Sequence, residues 1–156
     1  MKKILLVIAF CGLSFPSRAQ QKFLSYEDIV YIETNNLQKT ADFMLTKGYT
    51  ALKTKKADNL KYKLTNDGNT SEVEIRLDGR RIYVYIATDE IMQVNLITNS
   101  IAPFLISKED ISGVINYKVK DLGNIYMMVS DKTPYSPIKK DYDIRIVSEK
   151  NITTYN

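Results

Sequence analysis

Strict alternation of apolar and polar residues over three consecutive segments is the feature that most constrains how this chain can fold. A period of two places successive side chains on opposite faces of a strand, so that one face is buried and the other meets water. The pattern therefore predicts an antiparallel sheet that is covered on one side only. The apolar positions are Leu60, Tyr62 and Leu64, then Val73, Ile75 and Leu77, then Ile82, Val84 and Ile86.

The last two of these segments are separated by Asp78-Gly79, a dipeptide typical of a two-residue hairpin turn. We predict a register in which Leu77 pairs with Arg80, which places Ile75 opposite Ile82 on the buried face. A slip of one residue would move the charged side chains into the interior, so the pattern and the turn agree.

Helical periodicity precedes and follows these strands. The first helical region begins at Ser25, where the sequence resembles a capping box, and ends at Lys47-Gly48. Asn35-Asn36 is a point at which this region can divide into two short helices. Residues 89–99 are predicted to form a further helix, which ends or kinks before Pro103 because proline cannot lie deep inside a helix.

The second half of the chain resembles the first, which predicts two repeat units at residues 25–88 and 89–150. The segments that echo each other are 43–47 with 104–108, 59–65 with 124–130, and 73–77 with 142–146. Chance similarity between short alternating segments is the other explanation. The predicted fold class is α+β, an antiparallel sheet with helices packed on one face, built from two degenerate helix–β–β–β units.

The N-terminus has the pattern of a cleavable export signal. Lys2 and Lys3 precede an apolar run of about ten residues, shorter than the roughly 20 that cross a bilayer. Ser17-Arg18-Ala19 places small residues where a signal peptidase reads, so we predict cleavage after Ala19. The expected product is a single periplasmic or secreted domain of residues 20–156 with no membrane span, and a buried N-terminal helix is the alternative.

Cleavage would remove the only cysteine and most of the excess positive charge. Phe10 stands before Cys11, where a lipoprotein signal requires a small residue, so lipidation is not expected. The formal net charge falls from +4 to +1, because three basic residues and no acidic ones leave with the signal. A nearly neutral domain does not favour nucleic-acid binding.

A topological resemblance follows from this organisation. Tandem units of a helix and an antiparallel sheet resemble the plan of the β-lactamase inhibitory proteins and of several small uncharacterised exported bacterial proteins. The resemblance concerns the predicted mature chain and includes no diagnostic motif. It therefore carries over no functional residue.

The side chains of common catalytic and metal sites are missing. The chain has no histidine, and its predicted mature form has no cysteine. The usual general base, thiol nucleophile and ligands of zinc, haem and iron–sulfur clusters are thus absent, as are glycine motifs for phosphates. We predict no cofactor, no metal site and no enzymatic activity.

Carboxylate chemistry alone remains open. Glu72 with Glu74, or Asp141 with Asp143, could act as the two carboxylates of a hydrolase. Cross-strand charge pairing explains both pairs without catalysis. Residues 66–69 offer oxygen ligands for calcium, but a tight turn explains them better.

Two features are candidate partner-binding sites. The solvated face of the predicted hairpin carries Arg76, Arg81, Tyr83 and Tyr85, a combination enriched in protein interfaces. An ordinary solvated sheet face is the alternative explanation.

The second candidate is a loop at residues 131–140, which two prolines stiffen. Pro134, Tyr135 and Pro137 would present an aromatic ring to a partner. A tolerated surface insertion is the alternative.

These features favour an exported, non-enzymatic module that binds a protein or cell-envelope partner, as an inhibitor or an accessory subunit. A small-ligand carrier with a cavity between helices and sheet is the second hypothesis. A carboxylate-dependent hydrolase is the third.

Overall fold

The computed structural model describes residues 22–56, 58–78, 81–130 and 140–148. Three α-helices lie in these ranges: α1 (Tyr26–Thr34), α2 (Leu37–Thr46) and α3 (Ile91–Ile101), the last followed by a 3-10 turn at Ala102–Phe104. The strands are β1 (Thr50–Leu52), β2 (Asn59–Asn66), β3 (Asn69–Asp78), β4 (Arg81–Thr88), β5 (Leu105–Ile111), β6 (Val114–Val119), β7 (Gly123–Ser130) and β8 (Asp141–Ser148).

Two predictions fall outside the described residues. The export signal at residues 1–19, with its cleavage after Ala19, is one of them, and the loop with Pro134, Tyr135 and Pro137 is the other. Both stay predictions. No helix in the part of the chain that the structure describes has the length and hydropathy of a membrane span.

All eight strands form one antiparallel sheet in the order β1-β2-β3-β4-β8-β7-β6-β5. This arrangement confirms the α+β fold class. β4 and β8 meet at the centre, and each half of the chain continues outward from there in descending strand order. The predicted two-unit organisation would account for this order, and it stays a prediction. Each half contributes four strands, whereas three were predicted.

The two strands that the sequence pattern did not predict, β1 and β5, are the edges of the sheet. The proposed echo of residues 43–47 in residues 104–108 is wrong, because the first segment lies in α2 and the second runs into β5. The echo of 59–65 in 124–130 matches β2 with β7, whereas β6 holds the place of β2 in the outward order. The echo of 73–77 in 142–146 likewise matches β3 with β8, whereas β7 holds the place of β3. Short alternating strands resemble one another whatever their position, which explains these two strand mismatches.

The helix boundaries follow the capping residues. The side chain of Ser25 accepts a hydrogen bond from the N–H of Asp28, and the Asp28 carboxylate accepts one from the N–H of Ser25 at 2.8 Å, which confirms the capping box. Asn35 ends α1, and Asn36 caps α2, so the region divides where predicted. The 3-10 turn that contains Pro103 ends α3, also as predicted.

Apolar side chains from the helices and from one face of the sheet form the core. Across the central strand pair, Val84 lies opposite Ile146 and Ile86 lies opposite Ile144, and all four side chains are fully buried. Helix residues such as Ile29 join the same cluster. Each fully buried aliphatic side chain stabilises the fold by about 1.5–3 kcal/mol, so this layer fixes which face of the sheet is covered.

The β3–β4 hairpin is present, but its predicted register is wrong by two residues. Asp78 pairs with Arg81 and Leu77 pairs with Ile82, whereas Leu77 was predicted to pair with Arg80. A shift of two residues leaves every side chain on its predicted face, so the alternation could not distinguish the two registers.

Two further hairpins have turns whose backbone requires positive φ. Asn66 pairs with Asn69, and the intervening Asp67-Gly68 has φ values of +48° and +83°, which confirms the tight turn predicted here. Ser112-Gly113 repeats this geometry between β5 and β6, with φ values of +54° and +82°. Both turns match the twist of the flanking strands, as two-residue hairpin loops with positive φ do.

Replacing Ile144 by alanine tests the central core layer. We expect the Ile144→Ala variant to lose about 2–5 kcal/mol of unfolding free energy in urea, because a cavity remains among side chains that cannot all move to fill it. Ile106, which is 60% exposed on β5, provides the matched control. Ile106→Ala should change stability by less than about 0.5 kcal/mol. Equal losses in the two variants would contradict the described core.

Candidate functional site

The helices cover one face of the sheet, and we call the opposite face the open face. On this face, residues that pair across neighbouring strands form rows. Each row crosses β2, β3, β4, β8 and β7. The middle row is Lys61, Glu74, Tyr85, Arg145 and Tyr126. The flanking rows are Asn59, Arg76, Tyr83, Val147 and Asn124 on one side, and Lys63, Glu72, Ala87, Asp143 and Met128 on the other.

The four candidate residues predicted on the hairpin all lie on the open face, and the structure brings two of them into contact. The guanidinium carbon of Arg76 lies 4.3 Å from the ring centre of Tyr83. This contact follows from the observed register, which places the two residues directly opposite each other. Tyr85 lies two residues further along β4, and Arg81 is exposed at the start of the same strand.

Arg145 extends the cluster onto β8, and it was not among the residues predicted from the sequence. The register places Arg145 between Tyr85 on β4 and Tyr126 on β7. Its guanidinium carbon lies 5.9 Å from the ring centre of Tyr85, within the range of a cation–π contact. The residue belongs to the site only because β8 inserts between β4 and β7, which no local pattern indicates.

A hydrogen bond holds the phenol of Tyr85 in place. The hydroxyl of Tyr85 donates to Oδ1 of Asp143 at 2.7 Å. Burial and this hydrogen bond to a carboxylate raise the pKa of Tyr85 to about 12. The Asp143 side chain was a candidate catalytic carboxylate on the sequence alone; here it accepts from tyrosine and is only 9% exposed.

The two glutamates of β3 form cross-strand ion pairs, as their alternation predicted. Lys61 Nζ lies 2.9 Å from Glu74, and Lys63 Nζ lies 3.4 Å from Glu72. Burial alone would raise the pKa of Glu74, but hydrogen bonds from Lys61 and Asn59, with the charges of Lys61 and Arg76, lower it below its usual value. Both lysine charges are therefore balanced by neighbours on the sheet.

The arginines are not balanced in the same way. No ion pair between described residues involves Arg76 or Arg145. Each guanidinium instead lies over or beside a tyrosine ring. Because a stacked guanidinium keeps the donors along its edge, both groups can still bind an acceptor from outside the chain.

A depression on the open face lies beside Arg145, and we call it the Arg145 pocket. Its volume is about 340 Å³. A smaller depression of about 90 Å³ lies on the other side of Tyr85, next to Lys61 and Glu74. The Arg145 pocket is lined by Tyr83, Val114, Tyr126, Met128, Asp143, Arg145 and Val147.

Neither metal-ligating side chains nor comparisons with known proteins indicate a function for this face. Within the described ranges, no three histidine, cysteine, aspartate or glutamate side chains form a group that could hold a metal ion. No known family model, curated protein or solved structure matches the chain. The topological resemblance to β-lactamase inhibitory proteins stays a prediction, so any proposal about function depends on the geometry of the open face.

The Tyr85–Asp143 hydrogen bond predicts that the hydroxyl of Tyr85 loses its proton at a higher pH than an ordinary tyrosine does. In ¹³Cζ-tyrosine NMR, we expect one resonance to titrate near pH 12, and the Asp143→Asn substitution to lower that pKa because the carboxylate acceptor is lost. Since the folded pKa exceeds the ordinary value of 10.0, the contribution of Tyr85 to stability is complete below pH 10 and is lost as the pH rises toward 12.

Tyr85→Phe identifies the resonance, because it removes that signal and no other. The assignment of this hydrogen bond would be wrong if Asp143→Asn left the Tyr85 titration where it is in the unchanged protein.

Proposed function

We propose that the chain is an exported, non-enzymatic module that binds a protein or cell-envelope partner through the open face of its sheet. The pairing of tyrosine rings with arginines that have no carboxylate partner among the described residues carries this proposal. Tyrosine and arginine are the residue types that most often dominate binding energy in protein interfaces.

The position of these residues on strands supports a binding role. Tyr83 and Tyr85 lie on β4, and Arg145 lies on β8, the two strands at the centre of the sheet. Their backbones are paired on both sides, and the residues that flank Tyr85 and Arg145 along each strand are buried, so little conformational freedom is left to lose on binding. A preorganised surface of this kind suits a protein partner better than a surface made of loops.

Three of the four candidate carboxylates, Glu72, Glu74 and Asp143, are engaged in ways that do not suit hydrolysis. A lowered pKa keeps Glu74 ionised, whereas a general acid needs a raised one. Glu72 pairs with Lys63, and Asp143 accepts the hydrogen of Tyr85. These contacts favour a binding function over the carboxylate-dependent hydrolase.

One observation favours the second hypothesis, that the protein is a small-ligand carrier. The Arg145 pocket has a volume of about 340 Å³, at the lower end of the usual range for small-molecule sites. It lies on the open face, whereas the hypothesis placed a cavity between the helices and the sheet. A carrier would therefore have to use the surface that we assign to a partner.

Capture from envelope extract tests the proposal. Purified residues 20–156 should retain a partner that the Tyr83→Ala/Tyr85→Ala variant binds at least about tenfold more weakly, because large aromatic contacts are lost from the centre of the surface. Tyr83→Ala alone keeps the hydrogen bond between Tyr85 and Asp143, so it separates weaker binding from weaker folding.

The matched control removes apolar area from the helical side of the molecule. Tyr31 and Leu45 are exposed on α1 and α2, and their replacement by alanine should leave capture unchanged. Circular dichroism confirms that each variant is folded. Equal capture by the sheet variants and the unchanged protein would remove the open face from consideration.

A further inference from the structure

We propose that the Arg145 pocket is the anchor point of the open face, and that it receives an apolar side chain of a protein partner with a carboxylate beside it, which Arg145 binds. This inference rests on the proposed function and specifies the chemistry of the partner. It predicts that the partner docks an acidic, partly apolar segment, whereas the proposed function alone leaves the chemistry of the partner open.

The lining of the pocket supplies the apolar contacts. Val114, Met128 and Val147 contribute aliphatic surface from three different strands, and Tyr83 and Tyr126 add ring surface. Val114, Met128 and Val147 are each only half-buried, so part of this apolar surface is exposed to water unless a partner covers it. A volume of about 340 Å³ accommodates one large side chain and the adjoining backbone.

Arg145 supplies the charged contact, because its charge is oriented and still available. Its neighbours across the sheet on the two sides are Tyr85 and Tyr126, so both flanks of the side chain are aromatic. Arg145 is exposed, and among the described residues no carboxylate lies within ion-pair distance of it. A guanidinium oriented by rings binds a carboxylate with two parallel hydrogen bonds at little cost in side-chain entropy.

Asp143 is the one acidic side chain of the pocket, and its surroundings limit its effect on a partner. It is 9% exposed, and one of its oxygens already accepts the hydrogen bond from Tyr85. Arg145 is exposed by contrast, and so is Arg76, whose guanidinium lies over the ring of the lining residue Tyr83. The pocket therefore presents positive charge to an approaching surface, and charge complementarity favours an acidic partner.

The two lysine–glutamate pairs of the open face do not change this conclusion. Lys61 and Lys63 are paired with Glu74 and Glu72, so that part of the face is locally neutral. Arg76 and Arg145, beside Tyr83 and Tyr85, take part in no ion pair between described residues. A partner that docked its carboxylate at Lys61 or Lys63 would have to displace an existing ion pair.

Selection from a random peptide library displayed on phage tests the inference while the partner is still unidentified. Purified residues 20–156 should enrich peptides in which Asp or Glu stands next to a large apolar residue. The Arg145→Gln protein should lose the acidic preference and keep the apolar one. Lys39→Gln, which removes the same charge from an exposed position on α2, should select the same peptides as the unchanged protein.

Calorimetry on one selected peptide then measures the contact between Arg145 and the carboxylate. We expect Arg145→Gln to weaken binding about tenfold or more, since hydrogen bonds between charged groups are among the strongest in proteins. Replacing the acidic residue of the peptide by its amide should cause a similar loss. Once the peptide is an amide, Arg145→Gln should have no further effect, which is the result expected for two groups that bind each other.

The outcomes separate this inference from the proposed function. Peptides without acidic residues, selected equally by the Arg145→Gln protein but dependent on Tyr83 and Tyr85, would overturn the inference and leave the binding face in place. Failure to enrich any peptide that depends on those tyrosines would count against both.

The inference would also be overturned if the pocket bound a second copy of the chain or a small ligand. Sedimentation would detect a dimer that Arg145→Gln dissociates, in which case the pocket binds a second copy of the chain. Chemical shifts at the pocket that respond to octanoate as strongly as to the selected peptide would favour the small-ligand carrier instead.

Discussion

The pairing of β4 with β8 is the interaction on which the rest of the structure depends. These strands lie far apart in the chain, and their pairing joins the two halves into one sheet. On the covered face it places Val84 opposite Ile146 in the centre of the core. On the open face it places Tyr85 opposite Arg145, with Asp143 within hydrogen-bond distance of the phenol. One strand pair therefore holds both the core and the candidate site.

Local patterns in the sequence were sufficient for the fold class and for half of the site. Alternation located β2, β3 and β4 and assigned Arg76, Tyr83 and Tyr85 to the solvated face, since the face depends only on odd and even positions. The register differed by two residues because such a shift preserves every face. The edge strands were missed for a related reason: Leu105–Ile111 is exposed along almost its whole length, so its sequence shows no buried face.

The other half of the site depends on contacts between distant segments. Arg145 and Tyr126 become neighbours through the pairing of β7 with β8, and they meet Tyr85 through the pairing of β8 with β4. Strand order is decided by the packing of the whole core, so a single sequence gives little indication of it. The structure also distinguishes two kinds of cation on the open face: the lysines of β2 are balanced by glutamates, and the arginines beside the tyrosines are not.

Site-specific photocrosslinking tests most directly the claim that the open face is the binding surface. A benzophenone side chain would be placed at position 126 on the open face, or at position 45 on the helical side, before incubation with envelope extract. The account predicts a discrete crosslinked species from position 126 that excess unlabelled protein abolishes, and none from position 45. A competed species from position 45 alone would show that the partner binds over the helices and would contradict the account.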